Sequence, residues 1–136
     1  MKPEAVVVGA SAGGLQALNI LLSGLPAAFG LPIIVVLHIG TASGGYWIDN
    51  LNQKLPLTVK EAEEKETIEP GHVYFAPPDY HLLIEPSRSF SLSVDAKVNY
   101  ARPSIDVLFE SAALVYDRGL IGVVLTGSNY DGAAGL

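Results

Sequence analysis

The chain has 136 residues, 49% of them hydrophobic and only 16% charged, and it contains no cysteine. That size supports one core without covalent staples, so residues 1–136 are expected to form a single domain. Disulfide frameworks, thiolate metal sites and cysteine nucleophiles are excluded, and a net charge of −6 argues against nucleic-acid binding.

Ala5-Val6-Val7-Val8 is a continuous, mostly β-branched apolar run, the pattern of a strand buried on both faces. Gly9 to Gly14 reads as a glycine-rich turn. Leu15, Leu18, Leu21, Leu22 and Leu25 then recur at helical spacing until Gly24 and Pro26 stop the helix. Pro32 introduces a second buried run, Ile33 to Leu37, which ends at His38, and a weaker helix spans about Gly45 to Leu55. This order predicts a parallel α/β unit. No formal charge falls between Glu4 and Asp49, yet glycines and prolines break that stretch well short of the ~18–20 apolar residues of a spanning helix. Glu4 stands where a signal peptide carries basic residues. A cytoplasmic chain without membrane insertion is expected.

Residues 57–95 carry short strand-like runs: Leu57 to Val59, His72 to Ala76, His81 to Ile84 and Phe90 to Val94. Turn signals at Pro70-Gly71, Pro77-Pro78-Asp79 and Pro86-Ser87 separate them, so they read as partly antiparallel strands and hairpins inserted beside the main sheet. From Lys60 to Glu69, five glutamates outnumber two lysines, the composition of a solvated face. Ser104 is placed to cap a helix whose apolar face is Ile105, Leu108, Phe109, Ala112, Ala113 and Tyr116, ending by Gly119. Ile121 to Leu125 reads as another buried strand. A loop, Thr126 to Tyr130, and a helix start at Asp131 follow, so the domain is expected to be truncated. The fold class is α/β: a doubly wound, mainly parallel sheet with helices on both faces and an inserted β-hairpin region.

Sites on such sheets form outside the carboxyl ends of the strands. Ser11, His38 and Asp131 each follow one of the three buried runs, which puts a hydroxyl, an imidazole and a carboxylate at one sheet edge. Together they supply a nucleophile, a general base and an orienting acceptor. Backbone N–H groups at the start of the first helix are natural oxyanion donors. Gly9-Ala10-Ser11-Ala12-Gly13 also fits the Gly-x-Ser-x-Gly turn that exposes a nucleophilic serine. Each residue has a plainer role open to it: Ser11 as a turn former, His38 as a structural histidine, Asp131 as a helix cap. A dinucleotide site is disfavoured, because Ser11 occupies the second glycine position and no acidic residue follows before Asp49. No Gly-Lys-Ser/Thr phosphate loop occurs. His72 and His81 lack a nearby ligand cluster, so no metal is expected. Arg102, fixed by the following Pro103 just before a helix, could meet an anionic group.

The motifs VVVGASAGG, VVLHIG, VKEAEEKETIEPGHVYFAPPDYHLLI, RPSIDVLFESAA and GVVLTGSNYDGAAGL occur in that order. Together they resemble the catalytic domain of the chemotaxis protein-glutamate methylesterases, the CheB family, from Ala5 to Leu136. The resemblance implies a catalytic triad at Ser11, His38 and Asp131. It further implies cofactor-free hydrolysis of γ-glutamyl methyl esters on the cytoplasmic helices of methylated chemoreceptors, and deamidation of receptor glutamines. Ala12, Ser128 and Arg102 are the positions expected beside the oxyanion or substrate. The pattern departs from the family in three places. The receiver domain that usually precedes the catalytic domain is not seen, and such a domain on a separate chain becomes a candidate partner. The last motif reads Thr126-Gly127-Ser128-Asn129-Tyr130-Asp131-Gly132 where Thr-Gly-Met-Gly-x-Asp-Gly is common. The family domain also continues further. The competing reading is a catalytically impaired module of the same fold that binds a receptor or regulator.

Overall fold

Apolar runs without polar alternation need cover on both faces, and a central parallel sheet with packing on either side supplies it. The computed structural model describes residues 2–38, 44–98 and 101–125. In chain order it contains β1 (Ala5–Ser11), α1 (Leu15–Ser23), β2 (Ile33–His38), α2 (Gly44–Lys54), β3 (Thr58–Glu61) and β4 (His72–Phe75). It continues with β5 (His81–Ile84), β6 (Phe90–Ser93), α3 (Ile105–Tyr116) and β7 (Leu120–Leu125). Five strands form one sheet in the order β3-β4-β2-β1-β7, with every pairing parallel. A separate antiparallel hairpin joins β5 to β6. This is the doubly wound α/β class with an added hairpin.

Alternate residues of the apolar runs serve opposite faces. Val6, Val8, Ala10, Ile33 and Val35 pack with Leu18 and Leu22 of α1 and with Ile48 and Leu51 of α2. Ala5, Val7, Ile34 and Val36 pack with Leu108, Phe109 and Ala112 of α3 and with Leu82, Ile84 and Phe90 of the hairpin. The connections leaving β1 and β2 therefore go to one face, while the one leaving β4 goes to the other. Such a divergence beside the end of β2 is where open α/β sheets place their sites.

Four details differ from the sequence reading. First, β1 runs three residues past Val8, to Ser11, because it is paired on both sides: Gly9 lies opposite Val36 and Val124, and Ala10 opposite Leu37 and Leu125. Pairing overrides the weak strand preference of glycine and alanine. Second, β3 and β4 are parallel members of the main sheet, with Val59 opposite Val73. The extended segment between them is hydrogen-bonded to the hairpin instead of forming a helix: Lys65 N–H to the Phe90 carbonyl (2.8 Å), Phe90 N–H to that of Glu66 (2.9 Å) and Ile68 N–H to that of Arg88 (3.0 Å). Third, Ala113 is exposed, although the rest of the expected α3 face is buried. Fourth, β7 is not a buried strand. Its one neighbour among the described residues is β1, and Ile121 and Gly122 are exposed. No helix among the described residues is long and apolar enough to cross a membrane.

Candidate active site

The parallel register between β1 and β2 puts Ser11 directly opposite His38, the last pair of that ladder. Both are half-buried at the carboxyl ends of their strands. Beyond Ser11 the backbone tightens into a single 3₁₀ turn, Ala12–Gly14, which leads into α1; Gly14 caps the helix without a side-chain bond. The first N–H groups of a helix lack intrahelical partners, and α1 begins four residues after the serine.

His38 is held from the other side of the sheet edge. Its Nε2 lies 2.9 Å from the carbonyl oxygen of Pro103. A carbonyl only accepts, so Nε2 carries the proton, and in the neutral ring Nδ1 is then the acceptor nitrogen. Pro103 precedes Ser104, whose hydroxyl caps α3 by accepting from Val107 N–H (3.3 Å). The start of α3 lies hard against β1. A Cβ on Gly9 would sit 2.4 Å from Ile105 Cγ2, so only glycine allows this approach two residues before Ser11.

The remaining sequence candidates divide clearly. The guanidinium of Arg102 donates through Nη1 to the carbonyls of Val94 (3.0 Å) and Asp95 (3.3 Å), tying the irregular segment that follows β6 to the approach of α3. Ala12 opens the 3₁₀ turn. Asp131 and Ser128 lie outside the described residues. His72 donates from Nδ1 to the Pro70 carbonyl (3.1 Å) and stacks on Tyr74 with ring centroids 5.5 Å apart. His81 is buried in β5, with both ring nitrogens engaged. Among the described residues no group of three or more potential ligands could hold a metal ion. The acidic run is partly self-neutralised, since Lys60 bridges Glu63 and Glu66. The Glu66 hydrogen bond, ahead of the Glu63 one, holds the Lys60 ammonium above its usual range against a partial loss from burial.

The main-chain carbonyl of Pro103 is the site component that residue-type reasoning misses. A backbone acceptor has no side-chain signature, and the sequence offers only the Arg-Pro-Ser step before a capped helix as a cue.

A parallel α/β sheet with a serine and a histidine side by side on adjacent carboxyl strand ends has the framework of a serine hydrolase. Residues 6–136 match the CheB methylesterase family, and the chain belongs to that family. It is 55% identical over 136 residues to a Leptospira interrogans protein provisionally named protein-glutamate methylesterase/protein-glutamine glutaminase, covering all of this chain and 70% of that one. It is 38% identical over 133 residues to the Thermotoga maritima protein-glutamate methylesterase/protein-glutamine glutaminase, covering 96% of this chain and 39% of that one. The crystal structure of the Thermotoga maritima CheB methylesterase catalytic domain superposes with a TM-score of 0.92 at 37% identity, over 99% of this chain and 73% of that chain.

Proposed function

We propose that this chain is a serine-dependent protein-glutamate methylesterase and protein-glutamine glutaminase acting on the cytoplasmic helices of methylated chemoreceptors. The observation that carries the reading is the pairing of Ser11 with His38 at the ends of β1 and β2, joined to family membership. Ser11 Oγ attacks the γ-carbonyl carbon of the ester while His38 takes the hydroxyl proton. The proton then passes to the departing methoxide, releasing methanol and leaving an acyl-enzyme on Ser11. Water, deprotonated by His38, cleaves the acyl bond and restores Ser11 with a free glutamate. A receptor glutamine follows the same course with ammonia as the leaving group. A proton on Nε2, bonded to the Pro103 carbonyl, supports the reading in which Nδ1 accepts the serine proton. In the resulting imidazolium both nitrogens donate, and the bond to Pro103 becomes charge-assisted. Asp131 supplies the negative charge that stabilises the imidazolium, and backbone N–H groups at Ala12 and Ser128 receive the oxyanion. The mechanism calls on no cofactor. A receiver domain on another chain is the regulatory partner that fits this reading.

Labelling with a fluorophosphonate, followed by mass spectrometry, tests the reading. The expected result is an adduct on Ser11 that disappears in His38→Ala. A folded protein that takes no label overturns it and favours a binding module of the same fold.

A further inference from the structure

We propose that His81, remote in sequence from the reacting groups, is a positioning residue for His38 and acts through the one peptide group between Pro103 and Ser104. The carbonyl of that peptide, on Pro103, accepts from His38 Nε2 at 2.9 Å. Its N–H, on Ser104, donates to His81 Nδ1 at 3.2 Å. An Nδ1 that accepts leaves the His81 proton on Nε2, and Nε2 lies 2.9 Å from the Ala96 carbonyl, which accepts it. The result is one directed line, from His38 through the peptide and His81 to Ala96, with every donor pointing the same way. Donation by the Ser104 N–H raises electron density on the Pro103 oxygen, so the two bonds to the peptide strengthen each other.

The surroundings keep this line in place. His81 is only 2% exposed and Ser104 is fully buried. His81 pairs with Ser93 across the hairpin, and Ser104 caps α3. Rotating the peptide to release His38 would break the His81 bond in a buried setting, where an unmatched N–H is costly. A histidine that only filled space in β5 would leave the tautomer of His38 indifferent to its removal. A positioning histidine would not.

The proposal takes its catalytic meaning from the role given to His38 above, yet its primary readout does not need activity. Ring ¹⁵N spectra of the full chain report the His38 tautomer directly. His81→Phe keeps a ring but removes both nitrogens, whereas His81→Asn keeps an acceptor near the Ser104 N–H. In folded His81→Phe, His38 is expected to leave the pure Nε2–H form. Labelling of Ser11 and kcat for ester hydrolysis are expected to fall roughly tenfold, the scale of one lost hydrogen bond, with KM unchanged. His81→Asn is expected to restore most of both. If His81→Phe does not fold, His81→Leu, which also removes both ring nitrogens, takes its place and is read in the same way. A folded variant lacking both nitrogens that keeps the parental tautomer and labelling overturns the proposal. If the parent itself takes no label, the hydrolase reading fails, while the tautomer comparison still judges His81.

Discussion

Ser11 ends a strand, so removing its one oxygen separates chemistry from packing. Ser11→Ala is expected to lower ester turnover by about 10⁴-fold or more if the triad acts as a unit. Its denaturation midpoint should stay close to that of the parent, because the site is half-buried and the strand pairing is made by backbone. Turnover assays beside urea titrations check both halves. Tyr74 shows the opposite balance. It is fully buried in β4, and its hydroxyl accepts from Glu69 N–H at 2.9 Å. Burial is the main cause that pushes its phenol above the ordinary range, partly offset by that hydrogen bond, and burial pushes Tyr116 up as well. For a folded value raised above the unfolded one, the contribution to stability is complete below the unfolded pKa of about 10 and is lost as pH rises through the folded value. The raised Lys60 adds to the same trend. Stability measured by urea unfolding is expected to fall above about pH 10, and Tyr74→Phe should fall less steeply. At neutral pH that variant should cost about 1 kcal/mol, for the Glu69 N–H that loses its partner.

Among the elements, those with a local signal were legible. The cap at Ser104 and the spacing from Ile105 to Tyr116 specify α3, and the His81 to Ile84 run specifies β5 to the residue. The strand-end placement of Ser11 and His38 followed from the two apolar runs alone. What escaped was set by partners distant in sequence. The direction of β3 and β4 depends on a connection that bonds to the hairpin, and a helix-free link of that length reads locally as a hairpin loop. The extension of β1 depends on two neighbours, and the partial exposure of β7 depends on what lies beside it. Gly9 was read as a turn former but serves as a contact: it lets Ile105 close on β1. Gly9→Ala is therefore expected to cost about 1–3 kcal/mol through overpacking. Because Ile105 lies two residues beyond Pro103, it should also slow labelling of Ser11. Denaturant midpoints and labelling rates measured side by side test this. A variant that loses neither would remove the contact from the account.

At the scale of the whole molecule the sheet divides two apolar layers that, among the described residues, share no side chains. Ile34 belongs to the α3 layer and Ile48 to the α1–α2 layer. Ile34→Val and Ile48→Val should each cost about 0.5–1.5 kcal/mol, and the double variant should equal their sum within about 0.5 kcal/mol. Equilibrium denaturation of the three variants checks this, and a larger deviation would mean that the sheet transmits strain between its faces. The same architecture distributes mobility unevenly over the site. β1 is laddered to a neighbour along both edges, from Ala5 to Ala10 against β7 and from Val6 to Ser11 against β2. Its amides therefore belong with the slowest to exchange with solvent, opening only when the domain does. His38 takes its orientation from the irregular segment ahead of α3, where local opening needs far fewer bonds to break. Mild denaturant should then silence the base while the nucleophile is still locked in the sheet, so activity fades ahead of unfolding and returns at once on dilution.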